Sequence, residues 1–212
     1  MIKLVVFDLD GTIGETIPTC IQAFQETVFS YSGKILPEKE IILTFGLNEE
    51  GMMRKVMDKG WETALEDFYT RYQEMHAACP EPFDGIKDLI AELKKRHILV
   101  ALVTGKGARS CQITLRQFGM EHCFDSIDTG SPDKNIKAES LENLRDKYNL
   151  SPDELVYIGD TVSDIISCHQ AGIRCLSAGW SRVADLKQLQ ERNKEHVFPT
   201  VQSLAAYIFR EK

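Results

Sequence analysis

Three short apolar runs, each ending in a polar turn, constrain the fold of this chain more than any other feature. The runs cover residues 2–7, 98–103 and 155–158 and are rich in β-branched side chains. Runs this short and this apolar are typical of strands buried on both faces of a parallel sheet. Because helix-like segments separate the strands, the pattern predicts a doubly wound α/β domain.

Further segments complete this strand and helix alternation. The apolar spacing predicts four helices, near residues 84–96, 108–118, 136–148 and 163–171, and two shorter strands, near residues 124–128 and 173–176. The polar turns after the three main runs begin at Asp10, Thr104 and Gly159. In a parallel sheet all three turns lie at the carboxyl ends of the strands, where ligands bind.

The stretch after the first strand has a different character. Residues 13–80 carry helical apolar spacing and no convincing strand, and Cys79-Pro80-Glu81-Pro82 then forms a stiff connector, since proline cannot continue a helix. We therefore expect residues 1–12 and 81–212 to form the catalytic core. Residues 13–80 are expected to form a small all-helical domain inserted after the first strand.

Charge and apolar content exclude several classes of function. A formal net charge of −7 over 212 residues argues against nucleic acid or an acidic membrane as a partner. The first apolar run is too short for a signal peptide, and no stretch approaches the roughly 20 apolar residues of a membrane helix. We expect a cytoplasmic protein. Its six scattered cysteines, without C-x-x-C pairs, predict reduced thiols and no zinc site.

Four aspartates stand at the ends of two predicted strands. Asp8 and Asp10 project from one side of the first strand, and Asp160 and Asp164 follow the run at 155–158. Two carboxylates this close repel each other unless a cation or a proton intervenes. Oxygen ligands at one sheet edge suit Mg²⁺, whereas zinc prefers His or Cys. Asp164 is expected to orient the metal site more than to bind directly; alternatively, it is a favourable acid in a helix first turn.

These motifs together resemble those of a known family. Asp8-Leu9-Asp10-Gly11-Thr12, Thr104, a later lysine and Gly159-Asp160-x-x-x-Asp164 resemble the four motifs of the haloacid dehalogenase superfamily. The helical insertion resembles the cap of its phosphoglycolate phosphatase-like members. The resemblance covers essentially the whole chain and implies a phosphoryl-transfer enzyme with a small-molecule phosphate as its substrate.

The resemblance also implies roles for individual residues. Asp8 would attack phosphorus and form an aspartyl-phosphate, and Asp10 would act as general acid and then as general base. Mg²⁺ would lie among Asp8, the backbone carbonyl of Asp10 and Asp160. Thr104 and the backbone N–H groups after it, from Gly105 onward, would hold phosphate oxygens, although Thr104 is also a good helix N-cap.

The lysine of the third motif has two candidates. Lys134 and Lys137 both lie near the expected distance before Gly159, and the Lys-Pro pair that is usual in the family is absent. We favour Lys137, because Lys137-Ala138-Glu139 fits the spacing of relatives that lack the proline. The other lysine is then an ordinary exposed side chain.

Substrate contacts are harder to assign from the sequence. In the insertion, Arg54 and Lys55 are the nearest basic candidates for a substrate contact, and a surface salt bridge is the simpler interpretation for either. Glu15-Thr16 stands where many relatives carry Asp-Ser, so a relative's substrate does not transfer directly. Trp180 could line the site entrance or pack in the core. The five histidines show no ligand spacing.

The sequence therefore predicts a Mg²⁺-dependent phosphatase acting on phosphoglycolate, a sugar phosphate, a nucleotide monophosphate or pyrophosphate. One alternative is a phosphomutase, which would use the same acids but return the phosphoryl group to the substrate. Another is a non-catalytic phosphometabolite-binding module, which the presence of both Asp8 and Asp10 disfavours. A dinucleotide-binding domain is weaker still, because no G-x-G-x-x-G follows the first strand.

Overall fold

A computed structural model describes residues 1–210, and their strands form one parallel sheet. The strands are β1 (Leu4–Phe7), β2 (Leu99–Val103), β3 (Ser126–Asp128), β4 (Leu155–Gly159), β5 (Arg174–Ala178) and β6 (Val197–Phe198). Their order is β3-β2-β1-β4-β5-β6, and every neighbouring pair is parallel. This order confirms the predicted doubly wound α/β fold and places its topological switch point beside β1.

Helices cover the sheet and form the segment after β1. They are α1 (Ile17–Ser32), α2 (Glu38–Ile42), α3 (Glu49–Val56), α4 (Trp61–Met75), α5 (Ile86–Lys95), α6 (Ala108–Gln117), α7 (Lys137–Lys147), α8 (Val162–Ala171), α9 (Leu186–Asn193) and α10 (Val201–Arg210). Helices α5 to α8 match the four predicted helices. The sequence analysis did not predict β6, α9 or α10: β6 has two residues, and α9 buries only Leu189.

The apolar run of β1 is explained by burial on both faces of the sheet. Val5 and Phe7 pack in the apolar cluster on one face, and Leu4 and Val6 pack in the cluster on the other. All four side chains are fully buried. Burial of each such side chain contributes about 1.5–3 kcal/mol relative to exposure, so β1 is the centre of the core.

The helical insertion, residues 13–80, builds an apolar cluster of its own. Its regular structure consists of α1 to α4 and a 3₁₀ turn at His76–Ala78. Phe24, Phe68 and Tyr72 are fully buried in that cluster, and the rings of Phe68 and Tyr72 stack with centroids 5.8 Å apart. A separate apolar cluster is what we expect of a small domain. The domain boundaries at residues 13 and 80 remain a prediction from the sequence.

Two chain segments join the insertion to the core side by side. The N–H of Phe83 donates to the carbonyl of Ile13 at 2.8 Å. His76 is buried at this joint, with its ring nitrogens 3.0 Å from the Cys79 carbonyl and 3.1 Å from Thr114 Oγ1. Burial lowers the pKa of His76. A Cβ at Gly14 would lie 2.5 Å from the Phe118 ring, so the joint has no room for a side chain there.

No helix within residues 1–210 is both long and apolar enough to cross a membrane. All six cysteines are free thiols, and four of them are buried. Their dispersal through the buried regions is typical of cysteine used as a small apolar residue.

Candidate active site

The residues that follow β1, β2 and β4 converge at one edge of the sheet. Asp8, Thr104 and Asp160 each come directly after one of these strands. Because β1 pairs in parallel with both neighbours, their carboxyl ends lie side by side. Carboxylate oxygens of Asp8, Asp160 and Asp164 lie within 4.8 Å of one another, so the structure brings the first and last acidic motifs together.

One lysine connects the two acidic motifs. Lys137 Nζ lies 2.6 Å from Asp8 Oδ2 and 2.6 Å from Asp164 Oδ1, and all three residues are buried. Burial acts to lower the pKa of Lys137, but the two carboxylates hold it above its ordinary value. Lys134, the other candidate, is exposed and paired with Glu139 at 2.6 Å. The structure therefore brings Lys137 to the site, whereas Lys134 lies on the surface.

Asp8 is held in a defined orientation. Its Oδ1 accepts a hydrogen bond from the Leu9 N–H at 2.7 Å, and its Oδ2 accepts one from Lys137. Burial raises the pKa of Asp8 to about 6, an effect that Lys137 opposes and that Asp164 and Asp10 reinforce. A carboxylate oriented at a strand end beside a cation is arranged as a nucleophile needs to be.

Asp164 uses both carboxylate oxygens within the protein. Its Oδ1 accepts from Lys137 and from the Tyr157 hydroxyl, and its Oδ2 accepts from the N–H and the hydroxyl of Thr161. Thr161 and Asp164 thereby form the capping box of α8. Although burial acts to raise the pKa of Asp164, Lys137 and Thr161 lower it. The contact with Lys137 agrees with an orienting role for Asp164. The contacts with Thr161 show that Asp164 also caps α8, which was the alternative role.

The acidic cluster has the donors that a hard divalent cation requires. Asp160 is buried and accepts from Thr12 Oγ1 at 3.2 Å, and burial raises its pKa well above the ordinary value, with Asp164 and Asp8 adding to the effect. A cation would relieve this carboxylate repulsion, so the donor set fits Mg²⁺. A Cβ at Gly11, whose φ is +75°, would lie 2.1 Å from Asp160 Oδ2, so glycine is needed on both counts.

Asp10 lies beside this cluster with a separate set of partners. Its carboxylate accepts a hydrogen bond from Thr16 Oγ1 and lies 3.2 Å from Lys106 Nζ. The Lys106 side chain is 1% exposed, and its Nζ is 4.5 Å from the centroid of the Tyr72 ring. Burial acts to lower the pKa of Lys106, but Asp10 and other neighbours hold it well above its ordinary value. The second aspartate is therefore fixed by side chains outside the family motifs.

A carboxylate of the insertion also reaches this lysine. Glu49, at the start of α3, is buried and lies 3.7 Å from Lys106 Nζ. Glu49 Oε2 accepts from the Gly107 N–H at 2.8 Å, whereas Oε1, the oxygen near Lys106, accepts from the Ser110 hydroxyl. The adjacent Asn48 donates its backbone N–H to the Ser131 carbonyl at 2.9 Å. These contacts hold the start of α3 over the turns after β2 and β3.

Lys106 and Glu49 were not predicted as site residues from the sequence. Lys106 had a weak signal, because it follows Thr104 in a turn assigned to phosphate. Glu49 had none, since an acid in the first turn of a helix is favourable without any tertiary contact.

Thr104 and Gly105 lie at the end of β2, facing the cluster. Thr104 is buried, and its Oγ1 accepts a hydrogen bond from the Lys106 N–H at 3.2 Å. Both Thr104 and Gly105 line the same cavity as Asp8. Their position agrees with the expected phosphate contact. The hydrogen bond from the Lys106 N–H to the Thr104 hydroxyl also stabilises the turn after β2.

Comparison with known proteins decides the family. The family model described as haloacid dehalogenase-like hydrolase matches residues 5–178. The chain belongs to the haloacid dehalogenase-like hydrolases. The match spans the sheet edge, the insertion and the acidic motifs, and it confirms both the family predicted from the motifs and the expected class of enzyme.

Individual relatives of this haloacid dehalogenase-like hydrolase carry different names. Pyrophosphatase PpaX of Bacillus cereus strain G9842 is 25% identical over 186 residues, which are 85% of this chain and 84% of that protein. A phosphoglycolate phosphatase of Mannheimia succiniciproducens is 25% identical over 191 residues, 84% of each chain. The solved structure of a haloacid dehalogenase-like family protein from Streptococcus pneumoniae has a TM-score of 0.77 and 24% identity, with 98% of each chain covered.

A cavity of about 520 Å³ opens above the acidic cluster of this hydrolase. Asp8, Asp10, Lys137 and Asp160 line it, and so do side chains of α1, α2 and α3. This volume is within the usual range for a small-molecule site.

Arg54 does not line this cavity. It is ion-paired with Glu50 on the same helix, lies 3.7 Å from Asp133, and stacks over the Trp61 ring at 4.8 Å. These partners agree with the salt-bridge interpretation of Arg54 and leave the predicted substrate contact without support in this arrangement.

Trp180 and Glu15 connect the loop after β5 to the first motif. The indole N–H of Trp180 donates to the Thr12 carbonyl at 3.0 Å, and the side chain packs against the core cluster. Glu15 accepts from the Ser181 hydroxyl at 2.7 Å and from the Arg182 N–H at 2.9 Å. Trp180 is therefore half-buried against the core, and Glu15 ties the start of the insertion to the loop after β5.

Proposed function

We propose that this chain is a Mg²⁺-dependent phosphatase that hydrolyses a small phosphate monoester through a phosphorylated Asp8. The observation that carries this proposal is the bridge from Asp8 through Lys137 to Asp164, with 2.6 Å at each contact. It leaves the leading carboxylate oriented by its neighbour and lining the cavity. Substrate names of the relatives, pyrophosphate and phosphoglycolate, support phosphoryl chemistry without fixing the substrate.

In the first step the Asp8 carboxylate attacks phosphorus, and the bond from phosphorus to the leaving oxygen breaks. Asp10 donates its proton to that oxygen, so the alcohol leaves uncharged. Lys137 and the backbone N–H groups after Thr104 stabilise the charge on the phosphoryl oxygens.

In the second step a water attacks the phosphorus of the acyl phosphate. Asp10, which lost its proton to the alcohol, accepts one from the water, so one residue acts as acid and then as base. The products are inorganic phosphate and the regenerated Asp8 carboxylate. Thr16 and Lys106 hold Asp10 in place through both steps.

Asp8 and Asp160 would hold the metal ion together with the backbone carbonyl of Asp10, and Asp164 would orient that arrangement through Lys137. When bound, Mg²⁺ would offset the negative charge of the transferring phosphoryl group. A cytoplasmic location and a small molecule as the partner, with neither nucleic acid nor membrane, remain predictions from the sequence.

The test is phosphate release from 4-nitrophenyl phosphate by the full-length protein, with Mg²⁺ and with EDTA. We expect release with Mg²⁺ alone and a loss of at least about 1,000-fold in kcat for Asp8→Asn. Asp153→Asn, at an exposed position, is the matched control and should retain activity. Undiminished release by Asp8→Asn would overturn the assignment of Asp8. In a parallel reaction with a sugar phosphate, isomerised product without free phosphate would indicate the mutase instead.

A further inference from the structure

The cavity above Asp8 has two unlike walls. The sheet edge provides the groups that handle the phosphoryl group. The apolar part of the lining, which we call the apolar wall, comes mostly from the insertion and includes Ile17, Ile42, Phe45, Leu47, Met52 and Val183. Ile42 and Phe45 are 44% and 41% exposed, so part of the apolar wall contacts solvent in the structure. An apolar leaving group would remove this surface from water, which is favourable in proportion to its area.

Within residues 1–210, the cavity lining has no cationic side chain free for a second anionic group. Among the described residues that line the cavity, the cations are Lys106 and Lys137. Lys137 is already between Asp8 and Asp164, at 2.6 Å from each. Its remaining interaction is with the phosphoryl group that is transferred.

The charge of Lys106 is likewise balanced by carboxylates. It lies 3.2 Å from Asp10 and 3.7 Å from Glu49. When Asp10 carries the proton for the leaving oxygen, Glu49 still balances the ammonium charge. Two further carboxylates, Glu38 and Asp185, line the cavity and add negative charge. A second phosphate or a carboxylate would therefore enter an acidic site without a free counter-ion, which is unfavourable.

We propose that the leaving group of this enzyme is an uncharged, mainly apolar alcohol, aromatic or branched aliphatic in character. This inference rests on the proposed phosphatase function and names its substrate class. It predicts that pyrophosphate and phosphoglycolate, which appear in the names of relatives, are poor substrates of this chain. In the cavity of about 520 Å³ the phosphoryl group lies at the sheet edge, and the alcohol lies against the apolar wall.

The test compares two esters of matched ring size, 4-methylphenyl phosphate and 4-carboxyphenyl phosphate, with the full-length enzyme and Mg²⁺. We expect kcat/KM for the methyl ester to exceed that for the carboxylate ester by at least about tenfold. Pyrophosphate and phosphoglycolate should be slower than the methyl ester as well. Equal values, or a preference for the anionic esters, would overturn the substrate class.

A pair of variants locates the effect in the apolar wall. Ile42→Lys adds a cation to the cavity lining at a partly exposed position, where lysine can be accommodated. It should reduce the preference for the methyl ester about fivefold, mainly through a lower KM for the carboxylate ester. Leu43→Lys makes the same charge change at the next residue, which is 82% exposed and does not line the cavity, and should leave the ratio unchanged. An equal response in both variants, or none in either, would contradict the proposal.

The phosphatase function and the substrate class are contradicted by different results. If no ester releases phosphate while the protein is folded by circular dichroism, the phosphatase function fails and the substrate class fails with it. If phosphate is released but the carboxylate ester is preferred, the phosphatase function stands and the apolar leaving group is wrong.

Discussion

The sheet edge and the helical insertion contribute opposite properties to one cavity. The sheet edge supplies buried charged side chains, such as Lys137 between Asp8 and Asp164. The insertion supplies mostly apolar, partly exposed side chains, such as Ile42 and Phe45. From this difference we infer that the family motifs determine the reaction and that the insertion determines the choice of substrate.

Glu49 is an exception to this division. It belongs to the insertion, yet its carboxylate is buried among groups of the core. Through Lys106 it lies one contact away from Asp10. In the proposed mechanism, the insertion therefore supports Asp10, the acid and base, and also forms most of the apolar wall.

The largest effect is expected at the sheet edge. Lys137→Met removes the cation that Asp8 and Asp164 share, so kcat should fall by about 100- to 1,000-fold for every ester tested. Lys134→Met changes an exposed lysine three residues earlier and should keep nearly full activity. Steady-state kinetics of both variants make the measurement. A loss of kcat for one ester only would contradict our inference that the sheet edge determines the reaction and the insertion determines the substrate.

The next largest effect is expected where the insertion contacts the core, and it is an effect on stability. Glu49→Ala removes the acceptor of the Gly107 N–H and one partner of Lys106, which should lower the free energy of unfolding by about 2 kcal/mol. Glu50→Ala, at the next residue of α3, loses only its partly exposed pair with Arg54 and should cost well under about 1 kcal/mol. Urea unfolding compares the two. Equal stability of the two variants would argue that Glu49 does not hold the insertion on the core.

The smallest effect is a pH dependence at the joint. Burial lowers the pKa of His76 below its ordinary value of 6.5, so the folded chain keeps the neutral ring while the unfolded chain binds a proton. Stability should then fall as pH drops below 6.5, by at most about 1.4 kcal/mol per pH unit from this one group. His76→Gln should flatten that part of the profile, whereas His122→Gln, at an exposed site, should not. An unchanged profile in His76→Gln would contradict this assignment.

What the sequence could predict differs between the same two regions. Strands β1, β2 and β4 were predictable because burial on both faces requires continuous apolar runs. Asp8 and Asp160 were predictable because they end such strands, and the spacing favoured Lys137, the lysine that the structure brings to Asp8. These features are local in sequence, and the parallel sheet then brings them together.

The contacts of the insertion could not be predicted in this way. Glu49 and Lys106 meet only because α3 is docked on the turns after β2 and β3, and no local pattern determines that docking. Arg54 shows the converse, since a basic residue with a plausible spacing is paired on the surface. The strand β6 was too short for a periodic signal, whereas α10 carried one in Val201, Leu204 and Ile208 that the analysis did not use.

The central claim is that Asp8 accepts the phosphoryl group beside the acidic cluster. The most direct measurement is an acid quench of the enzyme during turnover of 4-nitrophenyl phosphate, followed by peptide mass spectrometry. Using Asp10→Asn to slow the hydrolysis of the intermediate, we predict a phosphoryl group on the peptide that contains Asp8, labile to hydroxylamine. A phosphoryl group on another residue, or turnover with no phosphorylated peptide at any quench time, would contradict the account.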